Sequence, residues 1–206
     1  ESRQELVGTA RALTHLMEHG AQILQPMTVE GDSAFSERLP RGLVGAICPY
    51  SMPIRIPAIQ SAAAILSGNA VILKPSKLAP DCGQSVAEVW DRCRLPRGVF
   101  NLIQGPGTIL GQDLIQHPDL SALLFTGSYD TAHAIQASCV GRPELPIFMQ
   151  TGGKATALVF DDACLDQAVY EVMVGAFLTT GQRHNSTGRV IVCESIFDEF
   201  VEELVR

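Results

Sequence analysis

The strongest constraint on this chain is an alternation of two periodicities. Leu43 to Ile47, Ala70 to Leu73, Val99 to Ile103, Ala122 to Phe125 and Ile147 to Met149 are short apolar runs of strand character. Between them lie segments of helical length and pattern: Ile56 to Leu66, Cys82 to Arg92, Gly107 to Ile115 and Tyr129 to Cys139. Strands alternating with helices of about ten residues predict parallel βαβ units with right-handed crossovers. The fold class is therefore α/β, a doubly wound, mostly parallel sheet. In such sheets ligands bind at the carboxyl ends of the strands.

The flanks follow the same logic. Glu5 to Leu24 reads as a helix with Leu6, Ala10, Leu13, Met17 and Ile23 close to one face, stopped by Pro26. Residues 28–40 are polar and aperiodic, which suits a short bridging hairpin or loop. After Gly152-Gly153 come a strand (Ala157 to Phe160), a helix (Asp166 to Phe177), a polar turn (Thr179 to Gly188), a strand (Val190 to Cys193) and a helix from Phe197. We place a boundary near Thr151, giving regions 1–150 and 151–206. The sequence opens at Glu1 without a Met and closes at Arg206 inside a helical pattern, so it is expected to be a piece of something longer.

Composition excludes several classes. Of 206 residues, 46% are hydrophobic and 18% charged, which predicts a packed globular chain rather than disorder. The formal net charge is -7 and no Lys/Arg cluster reaches four residues, so no nucleic-acid partner is expected. No apolar run reaches the ~18 residues that a membrane span requires. The six cysteines are scattered, with no C-x-x-C pair and no His at zinc spacing, so no metal is expected. They read as reduced thiols of a cytoplasmic protein.

Four polar segments follow expected strands, where an α/β site forms: Cys48-Pro49-Tyr50-Ser51-Met52-Pro53, Lys74-Pro75-Ser76-Lys77, Phe125-Thr126-Gly127-Ser128 and Gln150-Thr151-Gly152-Gly153-Lys154. Each is ambiguous alone. Gly127-Ser128 is either a turn before a helix or a helix N-terminus that suits a phosphate. Lys74 is either a solvated lysine or a contact for a ribose hydroxyl or phosphate. The G-x-G-x-x-G dinucleotide fingerprint is absent.

Together with Gly181-Gln182-Arg183-His184, these segments resemble the aldehyde dehydrogenase superfamily. Its strand-end segments read P-W-N-F-P, K-P-S-E, F-T-G-S and E-L-G-G-K, followed by G-Q-x-C. The register needs no insertion: Ser51 to Lys74 is 23 positions, Lys74 to Ser128 is 54, Ser128 to Gln150 is 22 and Gln150 to His184 is 34. Asn69 to Leu73 resembles the family's G-N-T-V-V-L-K segment, and Gly105-Pro106-Gly107 its G-P-G turn. The resemblance extends over the whole chain. Pro49-Tyr50, Leu123 to Ser128, Gly141-Arg142-Pro143-Glu144 and Gly181-Gln182-Arg183 place it nearest the succinylglutamate-semialdehyde dehydrogenase branch.

The resemblance implies an NAD(P)-binding domain over 1–150 and part of a catalytic domain over 151–206. It also implies three reacting groups: a Cys nucleophile, a Glu general base and an Asn that holds the oxyanion. Those positions carry His184, Gln150 and Ser51 here. A neutral His is a poor stand-in for a thiolate. Gln accepts no proton at neutral pH. Ser is shorter than Asn, and one lost oxyanion donor costs about 10²–10³ in rate. The cofactor positions are better kept. The resemblance assigns Lys74 and Ser76 to the adenosine ribose, and Gly127 and Ser128 to the pyrophosphate. It assigns Ile47, Pro49 and Tyr50 to the cleft wall, and Gly107 and Gly111 to the turn beside the adenine.

Two departures bear on the cofactor. Lys77 replaces the Glu of K-P-S-E, which favours a 2′-phosphate and NADP over NAD, or else is a solvent-facing lysine. Ala132 replaces a Gly common after F-T-G-S and is expected to crowd the phosphate turn. The leading expectation is an aldehyde dehydrogenase-like NAD(P)-binding protein, a pseudoenzyme that has lost aldehyde oxidation. The alternatives are an active NAD(P)-dependent semialdehyde dehydrogenase, or part of one, acting on an aldehyde, and an interaction or scaffold module in a homo- or hetero-oligomer with an active homologue.

Overall fold

The structure is a computed structural model, and it describes residues 2–28 and 34–206. The chain divides into two compact units, one running through Gln150 and the other Thr151–Arg206. Residues 29–33 of the expected bridging segment lie outside the described residues.

The first unit opens with helix α1 (Ser2–Ile23). Strands β1 (Met27–Thr28) and β2 (Phe35–Ser36) then pair antiparallel. Next come β3 (Leu43–Ile47), α2 (Arg55–Leu66), β4 (Ala70–Lys74), α3 (Pro80–Arg92) and β5 (Phe100–Leu102). Where one helix was expected from Gly107, the chain makes a π turn (Gly107–Gly111) that runs into the short helix α4 (Gln112–Gln116). Strand β6 (Leu120–Gly127), helix α5 (Tyr129–Ser138) and strand β7 (Ile147–Thr151) complete the series.

The sheet order is β5-β4-β3-β6-β7. Strand β3 is parallel to β4 and to β6, and β4 is parallel to β5. Side chains alternate across it with period two. Val44 and Ala46 of β3 and Cys48 just past its end join Val71 and Leu73 of β4 in a core with Ile56 and Ala64 of α2 and Val86 of α3. The opposite parity, Leu43, Ile47, Ile72, Leu123 and Phe125, packs against Leu114 and Ile115 of α4 and Ala132 and Ile135 of α5. Helices therefore cover both faces, and the strands are apolar on both sides, as a doubly wound sheet requires.

Helix α1 is fastened by a side chain: Glu5 Oε1 accepts from the Ile54 and Arg55 N–H groups, both at 2.9 Å, at the start of α2. No residue of α2 itself caps that end, so a carboxylate from another helix fills the role. The apolar stripe expected on α1 is only partly covered. Leu6 and Met17 stay 55% and 75% exposed and line an apolar cleft of about 530 Å³ between α1, α2 and α3.

In the second unit β8 (Ala155–Val159) and β9 (Thr187–Val192) pair in parallel. Helices α6 (Leu165–Phe177) and α7 (Phe197–Val205) pack on them through Val159, Val172 and Phe200. Among the described residues no helix is long and apolar enough to cross a membrane.

Candidate functional site

Strand order reverses at β3: β4 and β5 lie to one side, β6 and β7 to the other. Past its carboxyl end the chain enters α2 in one helical layer, and past β6 it enters α5 in the other. Loops that depart to opposite faces leave a crevice between them, which is where open α/β sheets bind ligands. The register brings the expected residues to this edge. Ile47 is the Cα partner of Lys74 on β4 and of Phe125 on β6.

Lys74 closes β4 and is only 3% exposed. Its stem runs past the π turn, where a Cβ added to Gly111 would meet Lys74 Cδ and Cε at 3.9 Å. Its ammonium donates to the Pro75 carbonyl at 3.1 Å. Burial draws the Lys74 pKa below its ordinary value, opposed by the Coulombic effect of Cys48. Burial also pushes the Cys48 thiol far above its ordinary value, with Lys74 acting more weakly the other way. Both effects are desolvation disfavouring a charge.

The turn after Lys74 is seated by shape. A Cβ at Gly83 of α3 would lie within 2.7 Å of the Pro75 ring, so glycine is what lets Pro75 lie against the helix. Ser76 is half-buried, and its Oγ accepts from the Leu78 N–H at 3.2 Å. Lys77 is exposed.

On the other side of the crevice Gly127 ends β6. A Cβ there would stand 2.6 Å from Phe125 Cζ, so packing alone already requires glycine. Ser128 caps α5: its Oγ accepts from the Thr131 N–H at 3.3 Å and lies 2.8 Å from Thr131 Oγ1. The backbone N–H groups of Tyr129 and Asp130 have no acceptor within the helix and form its positive end. Asp130 adds an exposed carboxylate to that turn. The expectation that Ala132 crowds the turn needs correction. Its methyl is buried in the core with Ile135 and Leu123, facing the sheet.

The remaining positions are spread more widely. Pro49 and Ser51 are half-buried in the β3–α2 connection, and Tyr50 beside them is 46% exposed. Gly107 is exposed, with open space where a side chain would stand. Gln150 is exposed on β7. His184 belongs to the second unit, before β9, where its carbonyl oxygen would stand 3.8 Å from a Cβ at Gly152.

Gln60, which no sequence motif includes, links two of the strand-end segments. Cys48, Gln60 and Thr126 form a hydrogen-bonded chain under the carboxyl edge: the Cys48 thiol donates to Gln60 Oε1 at 3.3 Å, and Gln60 Nε2 donates to Thr126 Oγ1 at 2.9 Å. A Gln among small and apolar residues of α2 was the available signal. Arg142 also takes on a definite role, at the opposite edge. Its guanidinium donates to the carbonyls of Ile115 (2.8 Å), His117 (3.0 Å) and Leu120 (3.0 Å), so it fastens α4 to the start of β6.

The donor set at the carboxyl edge fits a dinucleotide: a cation at the end of β4, free helix N–H groups after β6 and glycines where backbone approaches. Lys74 and Ser76 would hold a ribose, and Gly127, Ser128 and the first turn of α5 the pyrophosphate. The apolar cleft beside α1 has little polar lining to orient such a ligand.

Comparison with known proteins agrees. Residues 1–206 match the model of the aldehyde dehydrogenase family. The chain is 37% identical over 182 residues to the alpha-ketoglutaric semialdehyde dehydrogenase of Bacillus subtilis, covering 88% of this chain and 37% of that protein. It is 37% identical over 178 residues to the N-succinylglutamate 5-semialdehyde dehydrogenase of Salmonella paratyphi A, covering 86% and 36%. The crystal structure of PnpE in complex with nicotinamide adenine dinucleotide superposes with a TM-score of 0.87 at 28% identity, covering 96% of this chain and 41% of that one. The chain thus spans well under half the length of these relatives. By sequence along its entire length and by the architecture of its parallel sheet, the chain belongs to the aldehyde dehydrogenase family.

Proposed function

We propose that this chain is a dinucleotide-binding part of an aldehyde dehydrogenase-family protein that binds NAD or NADP without oxidising an aldehyde. One contrast carries the reading: the polar carboxyl edge of the sheet keeps Lys74, Ser76, Gly127 and Ser128, while the three reacting positions hold His184, Gln150 and Ser51. A bound nicotinamide would supply the hydride acceptor. This chain would supply the orientation: Lys74 and Ser76 at the ribose, the start of α5 at the pyrophosphate, and Ile47, Pro49 and Tyr50 along the wall. Residues 1–150 are then the cofactor domain and 151–206 the start of a catalytic domain.

The substituted positions explain the loss of turnover. His184 forms no thiohemiacetal, Gln150 activates no water, and Ser51 leaves the oxyanion one donor short. Support for a dinucleotide comes from the solved relative that holds one. Lys77 favours NADP, because an exposed cation next in sequence to the ribose-binding Ser76 suits a 2′-phosphate.

Calorimetric titration of the purified chain with NAD and, separately, NADP tests the proposal. Binding of either in the micromolar range is expected, with no growth of reduced-nicotinamide absorbance when an aliphatic aldehyde is added. Absence of binding to both, or oxidation of the aldehyde, overturns it.

A further inference from the structure

The β3–β6 ladder runs from Leu43–Leu120 to Ile47–Phe125. One position further on, at the mouth of the crevice, Cys48 and Thr126 are joined through a side chain of α2. Gln60 accepts from the Cys48 thiol at 3.3 Å and donates to Thr126 Oγ1 at 2.9 Å. Cys48 and Thr126 are only 4% and 2% exposed, so water is a poor substitute for either bond, and a buried polar group left without one is costly.

The amide of Gln60 suits this place by its chemistry. It offers an acceptor and a donor on one planar group and stays neutral at every working pH. The residues it joins each precede a wall of the crevice. Cys48 is followed by Pro49 and Tyr50, and Thr126 by Gly127 and Ser128. On the β4 side Cys48 stays in the backbone ladder, its N–H donating to the Lys74 carbonyl at 3.1 Å. The same residue is thus tied to the ribose side of the crevice by backbone and to the pyrophosphate side by Gln60.

We infer that Gln60 is a positioning residue that sets the spacing between the ribose-binding and pyrophosphate-binding walls of the crevice. The inference rests on the cofactor reading above. Its consequence is specific. A ligand that spans both walls depends on the bridge, and a ligand that touches one wall does not.

The test compares Gln60→Met and Thr126→Val, which keep size and remove the bridge, with Thr126→Ser, which keeps the hydroxyl. The dissociation constant for whichever of NAD or NADP the parent chain binds more tightly should rise about tenfold in the first two, while that for adenosine stays within about twofold. Thr126→Ser should behave as the parent chain. Parallel weakening of adenosine and dinucleotide, or no change in either, overturns the inference. A parent chain that binds no dinucleotide defeats the cofactor reading instead. The bridge is then judged by amide hydrogen exchange in the free chain. About tenfold faster exchange at Gly127 to Tyr129 in Thr126→Val than in Thr126→Ser upholds a spacing role, and equal rates overturn it.

Discussion

The two edges of the parallel sheet use similar side chains to different ends. At the amino edge, polar groups close the structure on itself. Arg142 holds three backbone carbonyls. Asn69 accepts from the Arg41 and Gly42 N–H groups at 2.7 and 3.0 Å and donates to the Ala64 carbonyl at 3.1 Å. At the carboxyl edge, the buried Lys74 ammonium donates to the Pro75 carbonyl at 3.1 Å, and the first N–H groups of α5 have no acceptor within the helix. Polarity alone therefore does not mark a site. What matters is how far the hydrogen-bonding capacity of a group is used within the fold: Arg142 meets three carbonyls, whereas the Lys74 ammonium, with three N–H donors, meets the Pro75 carbonyl.

Substitutions can break this contrast, and the largest effect is expected at Arg142. Arg142→Met strips donors from the carbonyls of Ile115, His117 and Leu120 and should cost about 3 kcal/mol of stability. Its bond to Glu144 is exposed and adds little. Asn69→Ala should follow at about 2 kcal/mol, since it takes the acceptor from the Arg41 and Gly42 N–H groups and the donor from the Ala64 carbonyl. Denaturant unfolding measures both. If the edges are separate in function, dinucleotide affinity is unchanged wherever the variant is folded. A loss of affinity at equal occupancy of the folded state would show that the amino edge also shapes the site.

Lys74 should invert the pattern. Lys74→Met removes a charge that burial already disfavours, so stability should hold or rise slightly. Dinucleotide affinity should fall about 30-fold, which corresponds to about 2 kcal/mol. Titration calorimetry together with thermal melting separates the two quantities. A variant that loses stability and keeps affinity would move Lys74 into the class of Arg142.

Much of this arrangement was legible in the sequence because strand and helix periods are local. Leu43 to Ile47 and β3 coincide, and Lys74, Gly127 and Ser128 were expected at strand ends and lie there. What escaped had no local signature. Gln60 acquires its role only when β3 and β6 lie side by side beneath α2, 66 positions from Thr126 in sequence. Arg142 suggested a family branch on paper, and its three carbonyl contacts give it a structural reason that no motif announces. Gly127 suggested a phosphate turn, while the Phe125 ring supplies an independent reason for glycine. The continuous helix expected from Gly107 becomes a π turn, and that turn brings Gly111 against the stem of Lys74.

A pH series isolates a single group at the carboxyl edge. Burial raises the Cys48 pKa, so the folded chain keeps a thiol proton that the unfolded chain loses near pH 8.5. Stability from this source is complete below about pH 8.5 and declines as pH rises, by up to about 1.4 kcal/mol per unit. Lys74, with its pKa lowered, acts oppositely, adding stability as pH climbs toward about 10.4. Cys48→Ser should therefore remove the decline and leave a shallow rise. The pKa of Cys82 is also raised, by burial first and then by Glu5 and Asp81, so Cys82→Ser is the control. A decline that persists in both variants would place its origin in another group.

The smallest effect belongs to Lys77, and it tests how far the carboxyl edge extends. Lys77 is exposed, with nothing in its packing to lose, so Lys77→Glu should leave thermal stability unchanged. If the edge reads a 2′-phosphate through this residue, reversing its charge should weaken NADP by about tenfold, roughly 1.4 kcal/mol. NAD, whose ribose hydroxyls a carboxylate can hold, should bind as well or slightly better. The ratio of the two dissociation constants is then the informative quantity, because any general loosening cancels from it. A ratio that does not move would end the recognition surface at Ser76 and make Lys77 part of the solvated rim. A ratio that moves, and shrinks with added salt as an exposed charge contact must, would make Lys77 the point where this frame departs from the Glu of its family and selects its own cofactor.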